Sequence, residues 1–296
     1  MSAYPNQNNL SISIVPSGQA LGADVLGFDL RHRPTQDELT FLTEAWAAHL
    51  VLRIRNQQGL DLNDLIRFSK FFGELDKRPI SAAGHSRSSL DHLPPEVTVI
   101  SNITVAGKSI GALGSYEAVW HSDMTYKDTP PKGSCLYSVE VPQSGGDTSF
   151  VNMYQAYDEL NSDLKRRLEP LRCVHDASRN SAGQLRDGFT EVDDPRKTVG
   201  AIHPVVRTHP VTGRKCLFLG RRRNAYIIGF ELEESEALLD ELWAHCTQSH
   251  LCWTQSWQLG DLVLWDNRCT MHKRDSFDPA SRRLMYRTQI KGEAVK

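Results

Sequence analysis

Trp120-His121-Ser122-Asp123 is the stretch from which the fold and the chemistry of this chain are best read. On an extended strand, side chains two apart point to one face, so His121 and Asp123 can reach a common point. An imidazole and a carboxylate so placed are two corners of a metal site. The pair alone decides little, because a His and an Asp two apart in a strand are more often a surface pair or a satisfied buried pair. The segments on either side decide.

Downstream, residues 262–265 read as a strand, Asp266-Asn267-Arg268 as a short turn, and Met271-His272 follows. His272 is the expected third ligand. Two histidines and one carboxylate form the facial triad of non-heme iron(II) oxygenases, which leaves positions open for a cosubstrate, oxygen and water. Farther on stands Arg282-Arg283-Leu284-Met285-Tyr286-Arg287. Arg283 and Arg287 share parity, so a strand would turn both inward. Unpaired buried charge is costly. An anion gripped by the guanidinium fork removes that cost.

Around these motifs the hydrophobic pattern is mixed and has no internal repeat. Thr35-Gln36-Asp37-Glu38 is a capping box, and Leu39, Leu42 and Trp46 follow at helical spacing. Leu65, Phe68 and Phe72 mark a second helix ending near Gly73. Helices are also expected at 153–171, with a second start at Ser162, and at 233–249. Strand-like runs occupy 11–15, 50–55, 97–100, 135–141, 203–208, 216–220, 261–265 and 284–290. Residues 78–98 hold a long stretch rich in Ser, Gly, His and Pro, expected to be a lid loop. The pattern predicts a mainly β chain with helices (α+β): a β-sandwich or jelly roll with N-terminal and inserted helical cover, one domain over 1–296.

Lys plus Arg number 34 against 36 Asp plus Glu, for a net charge of −2, a balance that favours neither nucleic acid nor a membrane surface as partner. The six cysteines include no C-x-x-C pair and read as reduced packing thiols of an intracellular protein. The opening residues lack a signal-peptide pattern, and no apolar run reaches the roughly eighteen residues that span a bilayer. A soluble, cytoplasmic protein is expected.

Taken in order, these segments resemble the taurine dioxygenase family, which includes the 2,4-dichlorophenoxyacetate dioxygenases, over nearly the full length. The resemblance runs through Leu21-Gly22-Ala23-Asp24-Val25, Phe71-Phe72-Gly73-Glu74-Leu75 and the His121–Asp123 motif. It continues through Gly145-Gly146-Asp147-Thr148, His203-Pro204-Val205-Val206-Arg207-Thr208-His209-Pro210 and residues 260–268. It implies a double-stranded β-helix (jelly-roll) core and a hydroxylation that uses 2-oxoglutarate and O2 and releases succinate and CO2. On this resemblance His121, Asp123 and His272 hold Fe(II), Thr148 and Arg283 contact 2-oxoglutarate, and Arg287 takes an anion of the substrate. Relatives that halogenate replace the carboxylate with a small residue, so Asp123 favours hydroxylation. The family tends to form dimers or tetramers, and a homo-oligomer is expected.

Glu117 stands where taurine-selective members carry Asn, and residues 100–117 look closer to the aryloxyalkanoate branch. The expected substrate is a small anionic organic acid, an aryloxyalkanoate-like carboxylate, contacted by Arg287, Glu117 and Tyr126. A taurine-type sulfonate dioxygenase is the alternative, and a metal-binding jelly roll without oxidative turnover a remote one. Met124, Trp120, Trp257 and Trp265 are expected either to line the pocket or to pack the core. Asn267 is expected to orient the turn before His272, and His85 and His92 fall in the lid.

Overall fold

Local capping starts the early helices where the sequence marks them. Helix α1 (Gln36–His49) begins at Thr35, whose hydroxyl accepts from the Glu38 N–H at 3.2 Å while the Glu38 carboxylate accepts from the Thr35 N–H at 2.9 Å. Such reciprocal caps satisfy first-turn donors that a helix cannot pair by itself. Asp61 and Asp64 do the same for α2 (Leu62–Lys70). The computed structural model describes residues 11–78, 93–115 and 118–295.

Strands β1 (Ser13–Pro16), β2 (Ala23–Leu26) and β3 (Val51–Ile54) flank these helices. Then come β4 (Thr98–Ser101), a small hairpin of β5 (Thr104–Val105) and β6 (Lys108–Ser109), β7 (Ala112–Leu113) and β8 (Ala118–His121). Strands β9 (Gly133–Glu140) and β10 (Thr148–Asn152) lead to α3 (Met153–Asp158) and α4 (Ser162–Leu168). The expected helix over 153–171 thus breaks in two, with Asn161 capping the second half through the Leu164 N–H at 2.8 Å.

Strands β11 (Arg172–Val174), β12 (Ile202–Pro204), β13 (Val206–Thr208), β14 (Lys215–Leu217) and β15 (Tyr226–Ile227) form two small sheets. The run expected at 203–208 splits between them at Val205. Helix α5 (Leu232–Cys246) precedes β16 (Cys252–Gln255), β17 (Leu262–Asp266), β18 (Thr270–Arg274) and β19 (Leu284–Ile290).

The larger sheet has eight strands in the order β1-β2-β3-β17-β9-β19-β4-β7, and a second has four in the order β16-β10-β18-β8. Alternation along β17 explains its unbroken apolar run. Leu262 and Leu264 pack outward under α1 and α2 with Phe41, Trp46, Phe68 and Phe72. Val263 and Trp265 face the other way, joining Phe150, Val151, Trp253 and Met271 of the four-stranded sheet. A mixed α/β architecture results, mostly strands with few helices, and a cavity lies between the two sheets.

All six thiols are free. Among the described residues no helix is long and apolar enough to cross a membrane. Of the expected lid at 78–98, residues 79–92, including His85 and His92, lie outside the described residues, and Thr98 already belongs to β4.

Candidate metal centre and active site

Adjacent strands of the smaller sheet bring one row of side chains onto its inner face. Phe150 pairs with His272, His272 with His121, and His121 with Arg221. Cross-strand partners share a face and stand about 5 Å apart, so the four side chains form a continuous row. The His121 and His272 ring centroids are 4.2 Å apart, and Trp265 from the facing sheet lies 5.0 Å from His272.

A β-bulge sets the angle of His121. Along β18, His272 and Arg274 are two apart, but their partners His121 and Ala118 are three apart, so β8 carries one extra residue. Both Ala118 and His121 therefore reach the cavity. The bulge also turns the Val119 carbonyl back towards the ring, where His121 Nδ1–H donates to it at 2.7 Å. That bond leaves Nε2 as the lone-pair nitrogen.

Asp123 arrives by a route the strand pattern did not predict. β8 ends at His121, and Asp123 lies in the following turn, so alternation on a strand is not what aligns the pair. Asn267 does that work instead. Its Oδ1 accepts from the Asp123 N–H at 2.6 Å, and its Nδ2 donates to the Asp123 and Pro131 carbonyls at 2.9 Å each. Asn267 was expected to orient the turn before His272; it lies in that turn, which is also braced by Thr270 Oγ1 on the Asp266 carbonyl at 2.6 Å and by the Arg268 N–H on Asp266. Ser134 Oγ donates to Asp123 Oδ2 at 3.0 Å, which leaves Oδ1 facing the imidazoles.

The distances from Asp123 Oδ1 to His121 Nε2 and His272 Nε2 are 3.7 and 3.9 Å. All three side chains are buried, and their donor atoms could hold one metal ion. Burial pushes the His121 imidazole down and takes His272 to about 3, so both rings are neutral and able to ligate. Burial alone would raise the Asp123 carboxyl, but Arg287 and the two imidazoles outweigh it and hold it well below the usual carboxylate range. Two neutral imidazoles and one carboxylate suit iron(II).

Beside the triad is a cavity of about 50 Å³, several times the minimum for one water molecule. His121, His272, Thr148, Arg274, Arg283 and Arg287 supply its polar lining, with Ile100, Leu136 and Trp265 among the apolar walls. Arg283 is 1 % exposed, and its Nε, Nη1 and Nη2 have no hydrogen-bond partner among the described residues. Burial, with Arg274 adding to it, pushes its guanidinium down to about 9. Three orphaned donors aimed into a cavity fit a ligand carboxylate. Thr148 begins β10 next to them, after Gly145 and Gly146 at φ +75° and +72°. A Cβ on Gly145 would come within 2.8 Å of the Ser276 carbonyl, so only glycine allows this approach.

Arg283 and Arg287 both face inward as their parity predicts. The register shift near Leu284 places its extra residue in β9, where Val139 is skipped, and leaves the alternation of β19 intact. Arg287 is partly engaged within the protein. Its Nη1 donates to Asp123 at 3.1 Å from Oδ1 and 3.4 Å from Oδ2, while Nε stays buried and unpartnered among the described residues. Arg287, expected to take the substrate anion, also holds the carboxylate of the triad.

The other expected contacts fare unevenly. Glu117 lies outside the described residues. Tyr126 does not line the cavity between the sheets; Arg186 covers its ring at 3.9 Å. Met124 takes up a left-handed turn at φ +51°. Trp265 lines the cavity, Trp120 packs under Lys273, and Trp257 donates its indole N–H to Thr148 Oγ1 at 3.0 Å.

Sequence reasoning missed Ser134, Arg274 and Arg221. Ser134 leaves no trace, since a serine in an apolar strand reads as filler. Arg274 shares parity with His272, a signal that was available. Arg221 becomes visible only through its bridge to His121. Burial, followed by the charge of Arg186, pushes its guanidinium down to about 10.

His209, Asp266 and Cys269 also converge. Two of the three are already in use: Asp266 takes Arg268 at 2.7 Å and His209 at 3.1 Å, and His209 Nδ1 accepts two backbone N–H groups. This cluster braces the turn before His272.

A sequence model of the taurine catabolism dioxygenase TauD, TfdA family matches residues 13–289. The chain is similar to the α-ketoglutarate-dependent 2,4-dichlorophenoxyacetate dioxygenase of Cupriavidus pinatubonensis, at 34% identity over 97% of this chain and 100% of that protein. It is also similar to pentalenolactone F synthase of Streptomyces arenae, at 30% identity over 93% of each. Its fold is similar to the crystal structure of AAD-2 in complex with Mn(II) and N-oxalylglycine, with a TM-score of 0.76 and 31% identity over 97% of this chain and 99% of that one. The chain belongs to the taurine catabolism dioxygenase TauD, TfdA family and is an iron(II)- and 2-oxoglutarate-dependent dioxygenase that uses O2.

Proposed function

We propose that the chain hydroxylates a small organic acid, an aryloxyalkanoate-like carboxylate, with release of succinate and CO2. The observation that carries this reading is the concentration of guanidinium groups around the triad. Arg274, Arg283 and Arg287 line the cavity, and Arg221 ends the row that contains both histidines. Arg283 is buried with all three guanidinium nitrogens unpartnered among the described residues, Arg287 keeps an unpartnered Nε beside its bond to Asp123, and buried charge without counter-charge is costly. The cosubstrate contributes two carboxylates, and the bound metal adds positive charge of its own. A substrate anion would add a further counter-charge beside Arg287.

In this reading His121, Asp123 and His272 hold the iron, which when bound supplies the oxygen activation that couples 2-oxoglutarate decarboxylation to hydroxylation. Arg283 and Thr148 fix the far carboxylate of the cosubstrate. Ile100, Leu136 and Trp265 keep water away from it. Arg287 reaches both Asp123 and the substrate anion. The same reading takes the two sheets as a double-stranded β-helix within one domain. It takes the protein as a cytoplasmic dimer or tetramer without nucleic-acid or membrane partners.

The test is succinate formation with aryloxyalkanoates, their neutral amides and alkyl sulfonates, with product analysis for hydroxylation. Turnover confined to the carboxylates is expected; equal turnover of the amides would refute the reading, and a preference for sulfonates would replace it with the taurine-type one. Arg283→Ala should weaken cosubstrate binding by about 2–5 kcal/mol, the loss of a dry bidentate pair, with the fold intact. Unchanged binding of 2-oxoglutarate would remove Arg283 from that role.

A further inference from the structure

We propose that Trp257 is a positioning residue for the cosubstrate: its indole N–H holds the Thr148 hydroxyl as an acceptor, so that the hydroxyl must direct its own proton into the cavity. The inference rests on the reading that Thr148 and Arg283 grip 2-oxoglutarate.

Hydrogen-bond chemistry fixes the polarity. An indole nitrogen can only donate, whereas a threonine hydroxyl has one proton and two lone pairs. At 3.0 Å from Trp257 Nε1, Thr148 Oγ1 must therefore accept. Its remaining proton has no acceptor among the described residues, and Thr148 is buried on the cavity wall. Arg283, on the same cavity, has donors only. The two residues thus present a surface made entirely of donors, which matches a carboxylate, an acceptor-only group. A side chain at 257 able to accept would let the hydroxyl turn away and break that match.

The indole is held in place before any ligand arrives. Gln255 is the strand partner of Thr148 on β16, and Trp257 follows two residues later. Ser256 Oγ donates to Asp147 Oδ2 at 2.8 Å, tying the loop to the residue before Thr148. Asp261 closes the other end, accepting from Gln255 Nε2 at 2.6 Å and from the Gln258 N–H at 3.0 Å. The ring itself packs against the core between the sheets. Little conformational freedom is left to lose when the cosubstrate binds.

The experiment is a double-mutant cycle read by the Kd of 2-oxoglutarate for Mn(II)-loaded protein, with steady-state kinetics alongside. Trp257→Phe keeps the packing and removes the donor. It should raise the Kd and the KM for 2-oxoglutarate about three- to tenfold, with kcat nearly unchanged. Thr148→Val should raise the Kd at least as much, and adding Trp257→Phe to it should change the Kd by less than about twofold. Thr148→Ala replaces the valine variant if that does not fold. A wild-type Kd in Trp257→Phe overturns the proposal. So does a Trp257→Phe effect of equal size in the Thr148 variant background, which would mean that the ring acts through packing. A Thr148 variant with unchanged Kd would overturn the reading of Thr148 itself, and the proposal with it.

Discussion

Asn267 directs its carbonyl and both amide protons at the backbone around Asp123, and in doing so sets where a metal ligand stands. Removing it leaves the Asp123 N–H and carbonyl without another partner among the described residues, so Asn267→Ala should lower metal affinity about 10–100-fold, the usual cost of losing such support. Titration with Mn(II) checks this, and an unchanged affinity would show that the side-chain bonds from Ser134 and Arg287 suffice. Arg287 behaves differently because it carries charge. Lying 3.1 Å from Asp123 Oδ1, it opposes a second cation at that oxygen, and in the proposed function it also takes the substrate anion. Arg287→Ala should therefore weaken substrate binding, leave 2-oxoglutarate affinity nearly unchanged, and hold or raise metal affinity. A loss of metal affinity would make Arg287 an orienting partner of Asp123 and nothing more.

Elements set by local chemistry were legible, and those set by distant partners were not. Helices α1 and α2 begin at their capping boxes because every atom involved lies within four residues. Thr35→Ala should accordingly cost about 0.5–2 kcal/mol of stability with activity retained, measured by chemical denaturation. Loss of activity without loss of stability would contradict a purely local role. Strands β10, β16 and β18 escaped notice, since their pairing joins segments far apart in sequence. The triad residues were legible by type, but the means of aligning them was not. The extra residue in β8 that aims His121, and the Asn267 clamp on Asp123 from 144 positions away, depend on register between strands. Arg283 was legible because parity along one strand is a local property, whereas the sharing of Arg287 with Asp123 is not.

At the scale of the molecule, the cavity is built from both sheets: Thr148 and His272 belong to the smaller one, Leu136 and Arg287 to the larger. A ligand gripped from both sides stabilises the contact between them. Metal and 2-oxoglutarate, each at about 100 times its Kd, should raise the melting temperature by roughly 5–10 °C. Arg283→Ala should lose the part that depends on 2-oxoglutarate and keep the part that depends on metal, and a cosubstrate shift surviving in that variant would place the binding elsewhere. The sheet order has a further consequence for how the chain comes into being. Strand β17 inserts between β3 and β9, and β19 between β9 and β4, so strands translated last occupy the middle of a sheet whose other members were translated first. While the ribosome is still at work, β3, β4 and β9 must wait with open edges, exposed to pairing with neighbouring chains. Neither Asn267 nor His272 exists until β17 has been made, so the complete triad cannot guide the stages before that point.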